Sequence, residues 1–341
     1  MVETPRIALR QREETPMSSE SAVASRVKTL GNSLKGVALP IGGILLLVVV
    51  FSILAPTFWQ SSTLFTIFRE SSVLLVVGIG VTFVILMGSI DLSVGATLTL
   101  AGLASAMVAK DGNWLVAVLV GVLVGVLVGA LNGVLFAYFK VPSFLTTLGV
   151  GLVAGGVGLW LVGGRPVQLF NESFLNISQA KVVGQYTTLA LWSILLWAAF
   201  SWIGVRTRFG RYTYAIGGAE AVSGLAGIPI QRIKFYAMVL SGALAGVAGI
   251  LLTARIGAAT PDMGSRLTLD AIAAVVIGGT ALTGGVGGVH RTILGVLLVT
   301  TLGVGLNTVG ITPYLQDIIQ GAVVVLAVAL TLDRSKLSIL K

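Results

Sequence analysis

Long apolar stretches alternate with short polar segments from residue 37 to residue 332. A helix needs ~20 apolar residues to cross the ~30 Å hydrocarbon layer of a bilayer. Ten stretches fit this length, which predicts an all-α, polytopic membrane protein with about ten transmembrane helices. They are roughly 37–55, 72–87, 89–109, 114–137, 143–162, 186–204, 235–256, 269–284, 290–307 and 314–332. The second, eighth and ninth are short and interrupted by glycine, so we expect broken or re-entrant helices there.

The two ends of the chain fall outside this pattern. Residues 1–36 are rich in Ser, Glu, Arg and Lys, which predicts a disordered tail and not a signal peptide. The domain organisation expected is this tail over 1–36, a membrane domain over 37–332 and a short basic tail over 333–341.

The longest polar interval inside the membrane domain is 205–234, with five basic residues and one acid, Glu220. If the N-terminus lies inside, the inner segments carry sixteen Lys and Arg and the outer segments five. Basic residues concentrate on the cytoplasmic side of membrane proteins. Both termini and the 205–234 interval are therefore predicted to be cytoplasmic. Nine or eleven spans would put the basic C-terminal tail outside.

Composition supports a membrane protein and narrows its chemistry. Only 10% of the residues are charged and 55% are hydrophobic, whereas soluble proteins carry about 25% charged residues. With no cysteine and one histidine, His290, disulfides, thiol catalysis and Cys- or His-rich metal sites are excluded. The net charge of +9 comes from loops and tails, which favours membrane topology over nucleic-acid binding.

A weak internal repeat links the two halves of the membrane domain. The sequence from Ile85 to Ile90 resembles that from Val276 to Ala281. Further on, Leu131-Asn132 followed by Pro142 resembles Leu306-Asn307 followed by Pro313. Paired glycine-interrupted segments in two halves are typical of the substrate pathway in transporters.

Four polar residues within these apolar stretches are candidates for a translocation pathway or a helix break. They are Asp91, Ser93, Asn132 and Asn307. A charge in the membrane is costly, so Asp91 is expected to contact solute, to cap a helix that runs from Leu92, or to do both. Ser89 is the alternative cap, and Gly88 allows the bend. The asparagines either line the path or bond a neighbouring helix. Asp270 and Asp317 are expected to complement the dipoles of helix N-termini.

No enzyme motif is present. The glycine-rich run Ile277–Gly288 lacks the GxxxxGK[ST] pattern of a phosphate-binding loop, so it predicts a tight turn between closely packed short helices. No GxSxG or HExxH sequence occurs. We expect neither a cofactor nor a catalytic site in this chain.

Four motifs, in order along the chain, carry a resemblance to a known family. They are MGSIDLSVGATLTLAG (residues 87–102), FGRYTYAIGGAEAVSGLAGI (209–228) with the following VLSGALAGVAGIL, IGGTALTGGVGG (277–288) and LNTVGITPYLQDIIQGAVVVLAV (306–328). Together they resemble the ribose-type permease subunits of bacterial ABC sugar importers, a branched permease family. The resemblance covers nearly the whole membrane portion.

The resemblance implies a type II ABC importer permease that translocates a monosaccharide or related polyol across the inner membrane by alternating access. It implies a cytoplasmic ATP-binding subunit, an external sugar-binding protein and a second permease subunit, identical or paralogous. The ATPase-coupling positions that match are Gly217, Gly218, Glu220, Leu225, Gly227 and Ile228. The chain departs from the family at Ala219 and Gly224, where Asn and Arg are common. Flanking arginines, Arg206, Arg208 and Arg211, are expected to orient this coupling segment at the membrane surface.

Two other classes of function stay open from the sequence. An ion-coupled secondary transporter would need intramembrane carboxylates, and Asp91 alone qualifies. A passive channel for a small polar solute would need no ATPase.

Overall fold

The computed structural model describes residues 19–331. The described chain is almost entirely helical, with two short pairs of strands. The helices are α1 (Ser19–Leu54), α2 (Ser61–Leu86), α3 (Val94–Asp111), α4 (Trp114–Ala137), α5 (Ser143–Val162), α6 (Glu172–Gln179), α7 (Thr188–Arg206), α8 (Arg208–Gly218), α9 (Glu220–Leu225), α10 (Ile230–Ile256), α11 (Leu267–Ile277), α12 (Val289–Thr308) and α13 (Pro313–Thr331), with a 3-10 turn at Pro56–Trp59. The strands are β1 (Val167–Gln168), β2 (Lys181–Val183), β3 (Tyr186–Thr187) and β4 (Ala258–Ala259), paired β1–β4 and β2–β3.

Each of the ten predicted spans contains one of these helices, and the all-α, multi-pass class is confirmed. Within the described residues, seven helices are long and apolar enough to cross a membrane: α1 from Val37, α2, α4, α5, α7, α10 and α12. The total of about ten stays a prediction, because α11 has only 11 residues and α3 and α13 are not among the seven.

The prediction of short helices is confirmed for α11 and wrong for α2 and α12. α2 has 26 residues because it continues through Arg69 and Glu70, where Arg255 pairs with Glu70 at 2.9 Å. α12 continues through its glycines because they provide room for neighbours; a Cβ at Gly305 would collide with the Phe51 ring of α1.

The expected N-terminal tail differs in its boundary. α1 begins at Ser19, so the described part of 1–36 is helical and not disordered. Its sequence up to Leu30 contains no glycine or proline, which suits a helix. Residues 1–18 and the predicted C-terminal tail lie outside the described residues.

Glycines join α4 to α10 in the most extensive helix contact of the described chain. Gly121, Gly125, Gly129 and Gly133 recur every fourth residue and lie along one face of α4. A Cβ added at Gly125 would lie 2.9 Å from the Gly246 Cα, and one at Gly242 would lie 2.7 Å from the Gly129 Cα. The two backbones therefore touch directly, as small residues permit between membrane helices. The glycine-rich composition reflects this packing.

α2 lies at the centre of the helix assembly. Its residues from Ser71 to Leu86 are all buried, against α7, α10, α11 and α12. By contrast, α1, α4, α5 and α7 each expose rows of large apolar side chains. In a bilayer such faces are covered by lipid. The polar groups that matter for function are thus expected on the buried sides of the helices and not on these exposed faces.

Two of the three ion pairs of the described residues lie at the end of the assembly opposite α8. Besides Arg255 and Glu70, Arg266 pairs with Asp317. Asp270 is in the first turn of α11, as predicted for a dipole complement. Asp317 lies beyond the first turn of α13, so its partner is the Arg266 side chain and the dipole prediction is wrong for this residue.

Candidate functional site

Two turns with the same backbone geometry follow α2 and α11. Gly88 has φ +71°, its N–H donates to the Ile85 carbonyl at 2.8 Å, and the Ser89 N–H donates to Val84 at 3.2 Å. Gly279 has φ +92°, and the equivalent bonds run to Val276 at 2.9 Å and from Thr280 to Val275 at 3.1 Å. The repeat noticed in sequence therefore corresponds to one helix-ending turn used twice, with glycine in the left-handed conformation each time.

The first turn leads into a buried carboxylate. Asp91 is 1% exposed. Its Oδ1 accepts from the Ser93 N–H at 2.9 Å and from the Ser93 hydroxyl at 2.6 Å, and its Oδ2 accepts from the Ser241 hydroxyl of α10 at 2.7 Å. The ion pairs of the described residues do not include it. Asp91 is held entirely by neutral hydrogen-bond donors.

The helix break predicted at this position is observed, but the expected cap is corrected. α3 begins at Val94 and not at Leu92, and Ser93 is its N-cap without a side-chain cap bond. Asp91 instead closes a local turn onto Ser93, as Asp side chains do two residues ahead. The chain between the two helices is non-helical because its backbone donors bond to side chains of α5.

Asn132 joins this cluster and Asn307 does not. The Asn132 side-chain N–H donates to the Ser93 hydroxyl at 2.8 Å, which links α4 to the Asp91 turn. The Asn132 Oδ1 is buried and has no hydrogen-bond partner among the described residues. Asn307 is exposed near the far end of α12. The four predicted pathway residues thus divide into a cluster of three and one separate residue.

Three residues of the cluster were not predicted: Ser241, Ser143 and Thr147. The hydroxyls of Ser143 and Thr147 accept from the Ile90 and Leu92 N–H groups at 3.2 and 3.0 Å. A serine or threonine in an apolar helix can bond its own preceding turn, so its presence alone indicates no partner. Ser143 and Thr147 lie in PSFLTT, which begins at Pro142, and Ser241 lies in VLSGALAG. These positions were the only signal in the sequence.

The second turn opens a glycine loop that meets α8. Gly279, Gly284, Gly285, Gly287 and Gly288 all have positive φ. The tight turn predicted from this sequence is therefore confirmed. The Gly285 N–H donates to the Leu86 carbonyl at 2.9 Å, and a Cβ at Gly284 would lie 2.8 Å from the Gly217 Cα. We call this contact of α2, α8 and the glycine loop the glycine junction.

Tyr214 of α8 stabilises the glycine junction with a hydrogen bond. Its hydroxyl donates to the Gly287 carbonyl at 2.8 Å. Burial raises the pKa of the Tyr214 hydroxyl above its ordinary value, and the nearby charge of Arg291 lowers it to a lesser degree. The hydroxyl therefore stays protonated, and able to donate, throughout the physiological pH range.

The six predicted coupling residues differ in their exposure and in their contacts. Gly217 is inside the junction, where a Cβ would collide with the Leu86 carbonyl, and Ile228 packs beside Ile216 and Ile233. Gly218 and Gly227 are exposed, with Gly227 at φ +78° just after α9. Glu220 pairs with Lys234 at 2.7 Å. Leu225 is 91% exposed, so α9 presents an uncovered apolar residue at its end.

The apolar helices, packed around a buried polar turn, define a multi-pass membrane protein. Residues 63–328 match the family described as branched-chain amino acid transport system / permease component. The chain belongs to this family of permease components, which are transport subunits of the inner membrane and not enzymes.

Several relatives extend over most of the chain. It is 39% identical over 290 residues to the ribose import permease protein of Escherichia coli K12, covering 84% of this chain and 90% of the relative. It is 38% identical to the ribose import permease protein of Bacillus subtilis, covering 87% and 92%. Identity to the D-allose transport system permease protein of Escherichia coli is 35%, covering 84% and 88%. No solved structure has significant similarity to the chain.

Proposed function

We propose that this chain is the permease subunit of an ATP-driven ABC importer that moves a monosaccharide or related polyol inward by alternating access. The observation that carries this proposal is the similarity, over at least 84% of the chain, to permeases named for ribose and allose import. A relative named for galactose and methyl galactoside import is 32% identical.

A neutral solute is favoured over an amino acid, although the family description names branched-chain amino acids. Among the buried residues of the described chain, Asp91 is the one charged side chain. A zwitterion would need partners for two opposite charges in a region of low dielectric. The remaining buried polar groups are hydroxyls and one amide, which suit the hydroxyls of a sugar.

The proposed path borders the polar cluster near its cytoplasmic end. Asp91, Ser93 and Asn132 supply polar groups there, and Asn307 lies toward the outer end. The unpaired Asn132 Oδ1 supports this assignment, because a buried acceptor without a partner is rare and can receive a hydroxyl.

The α8–α9 segment is proposed to face the cytoplasm and to dock on a separate ATP-binding subunit. The exposed Leu225 supports docking, and the close contact of Gly217 with the Leu86 carbonyl supports transmission of force to α2. The partner proposed outside the cell membrane is a sugar-binding protein, and a second permease subunit completes the assembly.

Nucleic acid is not among the partners proposed. The domain boundaries of 37–332 for the membrane domain and 205–234 for the coupling loop belong to the same proposal.

Uptake by membrane vesicles tests the energy source. Vesicles containing the permease with the ATPase and binding protein of its own system are supplied with radiolabelled ribose, allose or galactose. We expect uptake of one sugar to stop on ATP depletion and to continue when ionophores dissipate ion gradients. Uptake that survives ATP depletion but stops with ionophores would favour an ion-coupled transporter, and uptake that survives both treatments would favour a channel.

Substitutions at α9 test the docking surface separately. Leu225→Glu should reduce co-purification of the ATPase subunit at least tenfold, because it places a charge in an apolar contact. Gly227→Glu should have at least the same effect, since it adds the strain of a side chain at φ +78°. Val183→Glu is the matched control, since Val183 is also an exposed apolar residue but lies in β2. Normal ATP-driven uptake by Leu225→Glu and Gly227→Glu would contradict the docking assignment.

A further inference from the structure

A cleft of about 590 Å³ lies beside α9, between the α4–α5 turn and the start of α10. Its walls combine apolar and basic side chains. The apolar part includes Phe136, Val141, Pro142, Pro229 and Ile230, and the polar part is Lys140, Glu220, Gln231, Arg232 and Lys234. The cleft is separate from the Asp91 cluster and from the glycine junction.

Two of its three cations form no ion pair with any residue that the structure describes. Lys234 pairs with Glu220 at 2.7 Å and lies 4.9 Å from the centre of the Phe136 ring. Lys140 and Arg232 are exposed and take part in none of the ion pairs of the described residues. The cleft therefore offers two free positive charges to an anion.

The backbone at Lys140 is unusual. Lys140 has φ +58° and is the one described residue other than glycine with a positive φ. Residues other than glycine, Asn and Asp are disfavoured in this backbone conformation. A glycine would fit here without strain, so Lys140 lines the cleft at a cost in backbone strain, a feature that is common at functional positions.

Exposed aromatic residues lie close in sequence to the residues that line the cleft, at the ends of α4 and α10. Tyr138 and Phe139 follow α4, and Tyr236 is in the second turn of α10. Aromatic residues at helix ends mark the level of the lipid headgroups in membrane proteins. An occupant of the cleft therefore has its charged part at headgroup level and apolar surface beside it.

We propose that this cleft binds the phosphate of an anionic phospholipid from the cytoplasmic leaflet, with Lys140 and Arg232 as its ligands. The site rests on the cytoplasmic placement of α9 in the proposed function. Basic pockets at the cytoplasmic ends of membrane helices suit lipid phosphates. The apolar walls and the aromatic rim favour a lipid over a free anion or an acidic protein segment. Because Glu220 of α9 lines the same cleft, the bound lipid adjoins the coupling segment.

Native mass spectrometry of the full-length permease tests the site. The protein is titrated with phosphatidylglycerol and, separately, with phosphatidylcholine of the same acyl chains. We expect a preference for phosphatidylglycerol that falls roughly thirtyfold in Lys140→Gln/Arg232→Gln, since each basic contact with an anionic lipid is worth about fivefold. The control Arg165→Gln/Lys181→Gln removes the same charge at exposed positions outside both the cleft and the coupling segment, and it should keep the preference.

Lys140→Gly separates lipid binding from folding. It relieves the positive φ, so its thermal midpoint should equal or exceed that of the unsubstituted protein, while its preference for phosphatidylglycerol falls about fivefold. An unchanged lipid preference in Lys140→Gln/Arg232→Gln would overturn the proposal. So would equal displacement by glycerol 3-phosphate, which would make the cleft a general anion site.

Loss of the ATPase subunit from Lys140→Gln/Arg232→Gln at unchanged lipid preference would also overturn the proposal, because the cleft would then bind protein. The lipid titration needs neither ATP nor sugar. The lipid preference can therefore be interpreted even if the chain proves not to carry out ATP-driven transport.

Discussion

The turn after α2 and the turn after α11 share one backbone geometry but are stabilised in different ways. Side chains hold the first turn: Asp91 bonds Ser93 and Ser241, and α5 supplies two hydroxyls. Close backbone contacts at Gly217, Gly284 and Gly285 hold the second turn, with one side-chain bond from Tyr214. The same local structure thus serves a polar site in one half and a close contact in the other.

This difference suits the two turns to different roles. Polar side chains can exchange a partner for a solute hydroxyl, whereas a glycine contact leaves nothing between two segments that would absorb a movement. The two turns meet where Gly285 bonds Leu86, only five residues before Asp91. A displacement of α8 would therefore reach the polar cluster over a very short distance.

The largest effect is expected from Asp91→Leu. It leaves the Ser93 N–H, the Ser93 hydroxyl and the Ser241 hydroxyl without an acceptor, a loss of about 3 kcal/mol or more. Asp91→Asn keeps an acceptor for Ser93 and should cost about 1 kcal/mol. Thermal unfolding of the purified proteins measures both. If Asp91→Leu is as stable as the unsubstituted protein, the first turn is not held by side chains. A stable Asp91→Asn protein without uptake would favour ion coupling.

Next in size is Gly217→Ala in the glycine junction. The new Cβ would collide with the Leu86 carbonyl, and the strain should cost about 2 kcal/mol and abolish most uptake. Gly218→Ala is the matched control, because a Cβ at the neighbouring glycine meets no atom within 4 Å. Thermal midpoint and uptake are compared for both variants. Equal behaviour of the pair would show that close backbone contact does not hold the second turn.

Asn132→Ala and Asn307→Ala compare the two asparagines of the repeat. Removing Asn132 deletes its bond to the Ser93 hydroxyl and should lower stability by about 0.6–1.7 kcal/mol, the range for such bonds in membranes. Asn307 is exposed, so its replacement should change stability by less than about 0.5 kcal/mol. Thermal unfolding measures the pair. A larger loss at Asn307 would reverse the assignment of the polar site to the first half.

The smallest effect is expected from Tyr214→Phe, which removes one hydrogen bond to Gly287 and about 1 kcal/mol or less. Because burial raises the Tyr214 pKa, the protonated hydroxyl is stabilised in the folded state, and its contribution is lost only as pH rises through that raised pKa. The stability difference between the two proteins should stay constant between about pH 6 and pH 9, as measured by thermal unfolding. A difference that vanishes by pH 8 would contradict this assignment.

Much of the fold follows from hydropathy, and the departures have physical causes. The ten apolar stretches each hold a helix because length and composition decide whether a segment can be helical in lipid. The start of α2 could not be predicted, because Glu70 is stabilised by Arg255, far away in sequence. The start of α3 was misplaced because hydropathy does not register the backbone bonds that Ser143 and Thr147 accept.

The candidate site was predictable only in part, for a related reason. Asp91 and Asn132 are conspicuous because a charge or an amide is costly in an apolar segment. Ser241 is not conspicuous, since a hydroxyl can satisfy itself within its own helix. Asn307 matched Asn132 in sequence, yet only the packing of the helices decides which of the two is buried. Similarly, Gly217 and Gly218 are adjacent and identical, and only the position of Leu86 distinguishes them.

The contact between α4 and α10 has a consequence for movement. Because Gly125, Gly129, Gly242 and Gly246 have no side chains, the middle of the interface has no rotamers that could rearrange. Sliding one helix by a residue would bring a larger side chain against bare backbone. The two helices must therefore travel as one rigid body, and Asn132 on one and Ser241 on the other keep a fixed separation whatever the rest of the protein does.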